Sequence, residues 1–267
     1  MLQFKKVVLV GVLLGLYGCQ QEQPPQSAPP KTSQAQTDTL GHLSLKQENA
    51  QIALPFCENK QCIQVDIQTI DTQDDWMNQW LANTQGTVIQ DLIDLDQKMT
   101  LQQAVDAYVK QSDLWREQSV DHQAFELQLS TRIASQRGPY VLVQLNVHAT
   151  QGNQNIEKAH YFFVADRFAK RTVKLLDLID PKQQLNMNEW VQSAYQNWLK
   201  ENAEQIEQPT PEKIYWGQAD WFFDSEGIGL HYRADQIVAG APVLNIYLTQ
   251  AQTQQVLKPE LYADMFK

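Results

Sequence analysis

The chain has 267 residues and a formal net charge of −10 at pH 7, and no run of basic side chains is longer than a pair such as Lys170-Arg171. Nucleic-acid binding needs a basic face that displaces counterions from phosphates, so this composition argues against a nucleic-acid partner. The sequence also contains no nucleophile elbow, no His-Glu-x-x-His motif and no phosphate-binding glycine loop. We therefore expect no catalytic residues, no metal site and no cofactor.

The first nineteen residues have the layout of a secretory signal. Two lysines precede an apolar run from Val7 to Tyr17, and Leu16-Tyr17-Gly18-Cys19 places a small residue before a cysteine. This ending resembles a bacterial lipobox, from which only Tyr17 departs. The run is too short for a membrane-spanning helix, which needs about 20 apolar residues. We expect a signal peptide over residues 1–18, and the resemblance implies that Cys19 carries fatty-acyl groups such as palmitate.

Residues 19–48 are rich in Gln, Pro, Ser and Thr and nearly free of large apolar residues before Leu40. Such a segment cannot bury enough surface to offset its ordering entropy, so we expect a lipidated, disordered tether. Gln20, not Asp, follows the lipidated cysteine. In a Gram-negative envelope, resemblance to known lipoproteins then favours an anchor in the outer membrane that faces the periplasm.

Cys57 and Cys62 remain as an even pair in an exported chain. The four polar residues between them fit a turn that joins two strand ends, so we predict a disulfide. So short a loop would contribute only about 2 kcal/mol to stability. Zinc binding is the alternative, but one cysteine pair with no nearby histidine falls short of four ligands.

Residues 49–267 are expected to form one globular α+β unit. Ile63, Val65 and Ile67 alternate with polar residues and predict a strand. Asp74 or Asp75 would cap one helix and Thr100 a second, each with an apolar stripe that faces the core.

A strand-rich block follows, in which short turns separate runs of alternating apolar residues. The predicted strands cover 125–129, 141–147, 159–165 and 172–176. Successive strands with short turns predict an antiparallel meander. A helix is predicted over 189–202.

The C-terminal part predicts three more strands, over 221–223, 228–232 and 242–248, and a helix from the cap Thr249 to Val256. Gly227 is expected to supply a positive φ to the loop between the first two. Because strands and helices do not alternate one by one, the predicted class is α+β, with an antiparallel sheet meander packed against several helices.

Three groups of side chains are candidates for a site. His148, His160 and His231 fall in strand patterns and would form a metal or acid–base trio if they met across a sheet, but ordinary cross-strand neighbours have the same pattern. Asp91, Asp94 and Asp96 lack the glycine and distal glutamate of a calcium loop, which favours a solvated connector. The third group, Tyr215, Trp216 and Trp221, suits ligand stacking or a core, and the core is favoured.

Four segments resemble the extracytoplasmic domain of the RsiV family, which also occurs as the non-catalytic part of the peptidoglycan deacetylase PdaC. They carry a Leu-x-Asp-Leu-Ile step after a strand and a Gly-Ile-x-Leu hairpin, and the most specific region spans 158–258. The segments are 159–166, 173–181, 222–232 and 237–247. The resemblance implies a domain that binds lysozyme or wall glycan.

Because six residues precede the apolar run, we expect no cytoplasmic sigma-binding segment, and the deacetylase's Asp-Asp/His motif is missing. The expected function is a non-enzymatic cell-envelope lipoprotein, anchored through Cys19, that binds a lysozyme-like protein or peptidoglycan. Two alternatives stay open: a cell-wall hydrolase with an unrecognised site, and an envelope assembly protein that docks through an exposed apolar patch. The sequence does not identify the ligand-binding residues.

Overall fold

The computed structural model describes residues 40–57, 62–119, 121–151, 154–238 and 241–267, with only the backbone described at 154–158 and 235. The predicted signal peptide, Cys19, most of the tether and the turn between Cys57 and Cys62 lie outside these residues. Within them, no helix has the length and apolar character that a membrane crossing requires. Residues 39–267 belong to one compact unit.

A six-stranded sheet forms the centre of this unit, with the spatial order β1-β2-β3-β4-β5-β6. Its strands are β1 (Lys46–Asn49), β2 (Gln64–Asp71), β3 (Phe125–Arg137), β4 (Tyr140–Gln151), β5 (Gln154–Asp166) and β6 (Arg171–Thr172). Strands β3 to β6 form the predicted antiparallel meander. However, β2 pairs with β3 in parallel, which was not predicted.

Two helices make the crossover between these parallel strands and cover one face of the sheet. Helix α1 (Asp75–Asp91) begins at Asp74, whose carboxylate accepts a hydrogen bond from the Met77 N–H. Helix α2 (Leu101–Glu117) begins at Thr100 with a reciprocal capping box. Both predicted helices are therefore confirmed, and their apolar faces pack on alternate residues of β2 to β5 to form one core.

A second, three-stranded antiparallel sheet and several helices form the C-terminal part. The strands are β7 (Asp220–Phe223), β8 (Ile228–Tyr232) and β9 (Leu244–Tyr247). The helices are α3 (Leu175–Leu178), α4 (Gln184–Glu201), α5 (Ala234–Ile237), α6 (Gln250–Val256) and α7 (Pro259–Phe266), with 3-10 turns at Pro181–Gln183 and Trp216–Gln218. Trp216 and Trp221 are buried here, as the core interpretation predicts, whereas Tyr215 is 46% exposed.

The second core lies between this C-terminal part and the central sheet. It takes Tyr140, Leu142 and Val164 from β4 and β5, on the face opposite to α1 and α2. The described residues cover only part of that second face in this way, and the part that they leave uncovered carries the candidate site described below.

Several predicted elements differ in extent, and two of them have a local cause. The strand predicted over 172–176 ends at Thr172, because the Asp177 carboxylate accepts a hydrogen bond from the Lys174 N–H and starts the short helix α3. The helix predicted over 189–202 begins at Gln184, because the 3-10 turn that Asp180 caps runs directly into it. Helix α7 was not predicted.

The prediction for Gly227 was wrong, because Gly227 does not have a positive φ. The Asp224 carboxylate shapes the loop instead, since it accepts hydrogen bonds from the N–H groups of Glu226 (2.8 Å) and Gly227 (3.2 Å). A Cβ at position 227 would overlap Thr253 Oγ1 and lie 2.8 Å from the Leu248 carbonyl oxygen. Glycine is therefore required for close packing against α6 and the end of β9.

Candidate functional site

The uncovered part of the central sheet carries a cavity of about 290 Å³. On β4, Tyr140 and Leu142 enter the C-terminal core, and Gln144, Asn146 and His148 follow on the same face because alternate strand residues share a face. The cavity lies over this polar continuation. Its lining residues are Asp66, Gln68, Gln128, Leu129, Ser130, Asn146, Val147, His148, Ala159 and His160.

The strand register arranges most of these side chains in two polar rows that run across the sheet. The rows are Asp66–Gln128–His148 and Gln68–Ser130–Asn146–His160, with each residue directly opposite the next. Directly opposite neighbours on one sheet face have Cβ atoms about 5 Å apart, which lets their side chains interact. We call the surface made by these two rows the polar half-face.

A hydrogen-bond network connects this surface to the neighbouring residues Arg132 and Gln144 and fixes the orientation of the amides. Arg132 donates to Gln144 Oε1 from Nε, at 2.8 Å, and from a second guanidinium nitrogen. The amide of Gln144 must then turn its Nε2 away from Arg132, and Nε2 donates to Asn146 Oδ1 at 2.8 Å. Asn146 Nδ2 in turn donates to Ser130 Oγ at 3.2 Å. Gln144 is only 7% exposed, so its amide is held firmly in this orientation.

The network also assigns the proton on His160. The Nδ1 atom of His160 lies 2.7 Å from Asn146 Oδ1 and 3.2 Å from Gln144 Nε2. Because Asn146 Oδ1 can only accept, Nδ1 must donate, and its contact with the Gln144 amide then joins two donors and is not a hydrogen bond. Neutral His160 therefore has its acceptor lone pair on Nε2.

His231 does not join the other two histidines in the cavity. It lies on β8, is 3% exposed, and its Nδ1 lies 2.8 Å from Asn245 Oδ1 while the Phe162 ring contacts it edge-on at 5.0 Å. Burial lowers the pKa of His231, and Arg233 adds to this, while Asn245 and the His160 backbone oppose it. The predicted trio is thus split, with only His148 and His160 lining one cavity.

A polar seam joins the second sheet to β5. Asp220 accepts hydrogen bonds from the Phe162 N–H (3.3 Å) and from Arg233 (3.0 Å). The Arg233 guanidinium also lies 4.2 Å from the centre of the Tyr161 ring. These contacts hold β7 beside β5, so the outward surface of the second sheet continues from the polar half-face.

The remaining predicted site residues lie elsewhere. Asp91 ends α1, and Asp94 and Asp96 are exposed in the connection that follows it, as expected of a solvated connector. Across the described ranges, no three His, Cys, Asp or Glu side chains are close enough to share a metal ion.

Cys57 and Cys62 form a disulfide with a Cα–Cα distance of 5.9 Å. It lies in the long connection between β1 and β2, so Cys57 is not at a strand end as the hairpin interpretation required.

Sequence reasoning missed Arg132, Gln144, Asn146 and Ser130, although a signal for them exists. The alternation that marks Val141, Val143, Leu145 and Val147 as buried also puts Gln144, Asn146 and His148 together on the other face. Three polar residues in succession on one face of a central strand indicate that this face is not packed in a core.

Comparisons with known proteins identify the fold. No family model and no curated protein matches the chain. A DUF3298 family protein from Pseudomonas aeruginosa PAO1 is similar in structure, with a TM-score of 0.57, 14% identity, and coverage of 83% of this chain and 97% of that one. A DUF3298 family member from Bacteroides fragilis NCTC 9343 gives a TM-score of 0.53, 13% identity, and coverage of 84% and 96%. At these identities the structural similarity establishes a shared fold, and the function has to be inferred from the candidate site.

Proposed function

We propose that this chain is a non-enzymatic binding protein of the cell envelope, anchored by acyl groups on Cys19, whose domain recognises a wall glycan through the polar half-face. The signal and lipobox layout, the Pro/Gln-rich tether and the disulfide support an exported, tethered domain. The shared fold with DUF3298 proteins and the resemblance to the RsiV family agree with an extracytoplasmic role.

The observation that carries the binding role is the fixed orientation of the amides on an uncovered sheet face. Arg132 donates two hydrogen bonds to Gln144, and the Gln144 amide held in this way orients Asn146 and His160. Groups that are already oriented lose less entropy when a ligand binds, and this raises affinity. A solvated surface with no ligand needs no such network.

The chemistry of the cavity suits an uncharged ligand that both donates and accepts hydrogen bonds. Amides, one hydroxyl, His148 and the fixed tautomer of His160 line it, together with Asp66. Its volume of about 290 Å³ is at the small end of ligand sites, which span roughly 300 to 1,000 Å³. Sugar hydroxyl and acetamido groups match this set of donors and acceptors.

A basic, lysozyme-like protein is the second candidate, because the chain has a formal net charge of −10. Opposite net charges accelerate encounter and make association sensitive to salt. The resemblance to the RsiV family points to the same partner. Such a complex would need a contact area of about 800 Å² on each partner, well beyond the cavity alone.

Calorimetric titration of the purified full-length chain tests the proposal, with chitohexaose, soluble peptidoglycan fragments and lysozyme as separate probes. Asn146→Ala should weaken glycan binding at least tenfold, because it removes the group that links Gln144 to His160. Gln128→Ala, in the cavity, should also weaken it. The matched control Gln79→Ala removes an exposed amide on α1 and should leave affinity unchanged.

The titrations separate the two candidates. Binding of lysozyme but of neither glycan probe would favour the second candidate, and glycan binding with unchanged affinity in Asn146→Ala would contradict the polar half-face as the site. Absence of binding to all three probes would overturn the proposed function.

The anchor is tested separately in a lipoprotein-processing host. Wild-type chain should incorporate labelled palmitate and sediment with membranes, and Cys19→Ser should do neither. Equal labelling and sedimentation of the two would contradict an anchor at Cys19.

A further inference from the structure

Three aromatic side chains lie beside the polar half-face on the outward surface of the second sheet. Strand β5 connects the two surfaces, because His160 lines the cavity and Phe162 lies two residues further along the same face. The ring centroids of Phe162 and Phe222 are 5.2 Å apart, and those of Phe222 and Tyr247 are 5.3 Å apart. We call these three residues the aromatic platform.

The strand register places the platform next to the hydrogen-bond network that Arg132 and Gln144 form. Phe162 lies directly opposite Gln144, the amide that Arg132 orients. The Phe162 N–H donates to Asp220, and the buried His231 ring contacts the Phe162 ring edge-on. Phe162 is therefore held in place at the junction of the two surfaces.

The Phe222 ring packs against the backbone of Gly229. Phe222 packs at the edge of the core whose interior takes its neighbours Trp221 and Phe223, and its cross-strand partner is Gly229. A Cβ at position 229 would overlap the Phe222 ring, so the ring lies directly on the glycine backbone. Phe222 remains partly exposed in this position.

Tyr247 completes the platform and is its most exposed member, at 66%. Its ring meets Phe222 at an interplanar angle of 73°, in an edge-on arrangement. Aromatic rings that stay exposed beside a polar cavity offer stacking area at little conformational cost, which is a feature of ligand-binding surfaces.

From this continuity we infer that the aromatic platform is a second subsite, and that the ligand is a linear, uncharged glycan whose sugar rings stack on the platform while the adjoining units enter the cavity. The inference deepens the proposed function and rests on it. The three platform side chains carry no charge, and neighbouring Arg233 is paired with Asp220. Single-stranded nucleic acid also stacks on aromatic rings, but it requires a basic groove, which a chain of net charge −10 does not favour.

Oligosaccharide length provides the test, because only a longer glycan reaches both subsites. Chitobiose and chitohexaose are titrated separately into the full-length chain. Chitohexaose should bind at least tenfold more tightly than chitobiose. Tyr247→Ala should weaken chitohexaose binding about tenfold, the scale of one aromatic contact, and leave chitobiose binding unchanged.

Two further variants separate the platform from its surroundings. Gly229→Ala displaces the Phe222 ring without removing an aromatic residue, and it should also weaken chitohexaose binding selectively. Phe168→Ala is the matched control, since Phe168 is 74% exposed in the turn after β5 and lies outside the platform. It should bind both oligosaccharides like the wild type.

The outcomes distinguish this inference from the proposed function. Equal affinity for the two oligosaccharides, with Tyr247→Ala silent and Asn146→Ala impaired, would overturn the platform and leave the cavity as the glycan site. Absence of binding to either oligosaccharide would overturn both proposals. Loss of lysozyme binding alone in Tyr247→Ala would assign the platform to a protein partner and contradict the inference.

Discussion

The two halves of one sheet face differ sharply in this protein. On β4, Tyr140 and Leu142 are 5% and 3% exposed beneath the C-terminal part. Two residues further along the same face, Gln144, itself 7% exposed, begins a hydrogen-bond network of amides that extends to the exposed His160. The covered half stabilises the fold through apolar burial, and the open half is completed by hydrogen bonds that fix side-chain orientation. One face of a sheet can therefore contribute apolar burial along one half and present oriented polar side chains along the other.

The largest expected effect is a difference in the free energy of unfolding between a substitution in the covered half and one in the open half. Leu142→Ala leaves a cavity in the second core and should lower the free energy of unfolding by about 2–5 kcal/mol. His148→Ala, six residues along the same face of β4, should change it by no more than about 0.5 kcal/mol. Urea denaturation of both variants measures this, and equal losses would contradict the division of the face.

A smaller loss of stability is expected in the C-terminal part that covers this half, where the β7–β8 loop packs closely against other backbone. Gly227→Ala brings a Cβ against Thr253 and the Leu248 carbonyl, and overpacking of this kind costs about 1–3 kcal/mol. Gly41→Ala is the control, because nothing lies within 4 Å of its added Cβ. Thermal unfolding should show a lower midpoint for Gly227→Ala alone, and wild-type behaviour of that variant would refute the close contact.

The pH dependence of stability should reveal the burial of His231, which lies on β8 against the Phe162 ring of β5. The pKa of His231 is lowered in the folded protein, chiefly by burial. The stabilisation from the neutral His231 ring is therefore fully present above the unfolded pKa of about 6.5. It is lost as the pH falls from there through the lowered folded pKa, because the unfolded chain takes up the proton first.

Replacement of the ring tests this assignment. The groups that face His231 are Arg233, Asn245 and the His160 backbone. His231→Asn should flatten the decline in unfolding free energy between pH 6.5 and pH 5, measured by urea denaturation across that range. An unchanged slope would mean that other groups cause the acid sensitivity.

The smallest effect on stability, and the most specific to the open half, concerns the tautomer of His160. Arg132→Ala releases the Gln144 amide, so His160 should change from Nδ1–H alone to a mixture of tautomers while stability changes by no more than about 0.5 kcal/mol. Nitrogen-15 NMR of the histidine rings measures this, with Lys110→Ala as control. A pure Nδ1–H tautomer in Arg132→Ala would contradict the orienting role of Arg132.

Local patterns explain why much of the fold is predictable from sequence. The caps Asp74 and Thr100 mark the starts of α1 and α2, and the alternation along β3, β4 and β5 predicts the meander. The parallel pairing of β2 with β3 has no such local signal, because it depends on how two helices pack on the sheet.

The site is less predictable for the same reason. Alternation places Asn146 and His160 on the outward face, but which part of that face stays uncovered depends on where the C-terminal part packs. The network depends on register across three strands, which no single strand specifies. Gly227 illustrates the difference, since its requirement comes from Thr253, which is distant in sequence, and not from its own loop.

An NMR titration of the full-length chain with chitohexaose locates the binding surface residue by residue. We expect amide signals to shift at Gln68, Ser130, Asn146 and His160, and signals from the exposed surfaces of α1 and α2 to stay in place. Shifts confined to α1 and α2, or no shifts at all, would contradict the assignment of the polar half-face as a glycan-binding site.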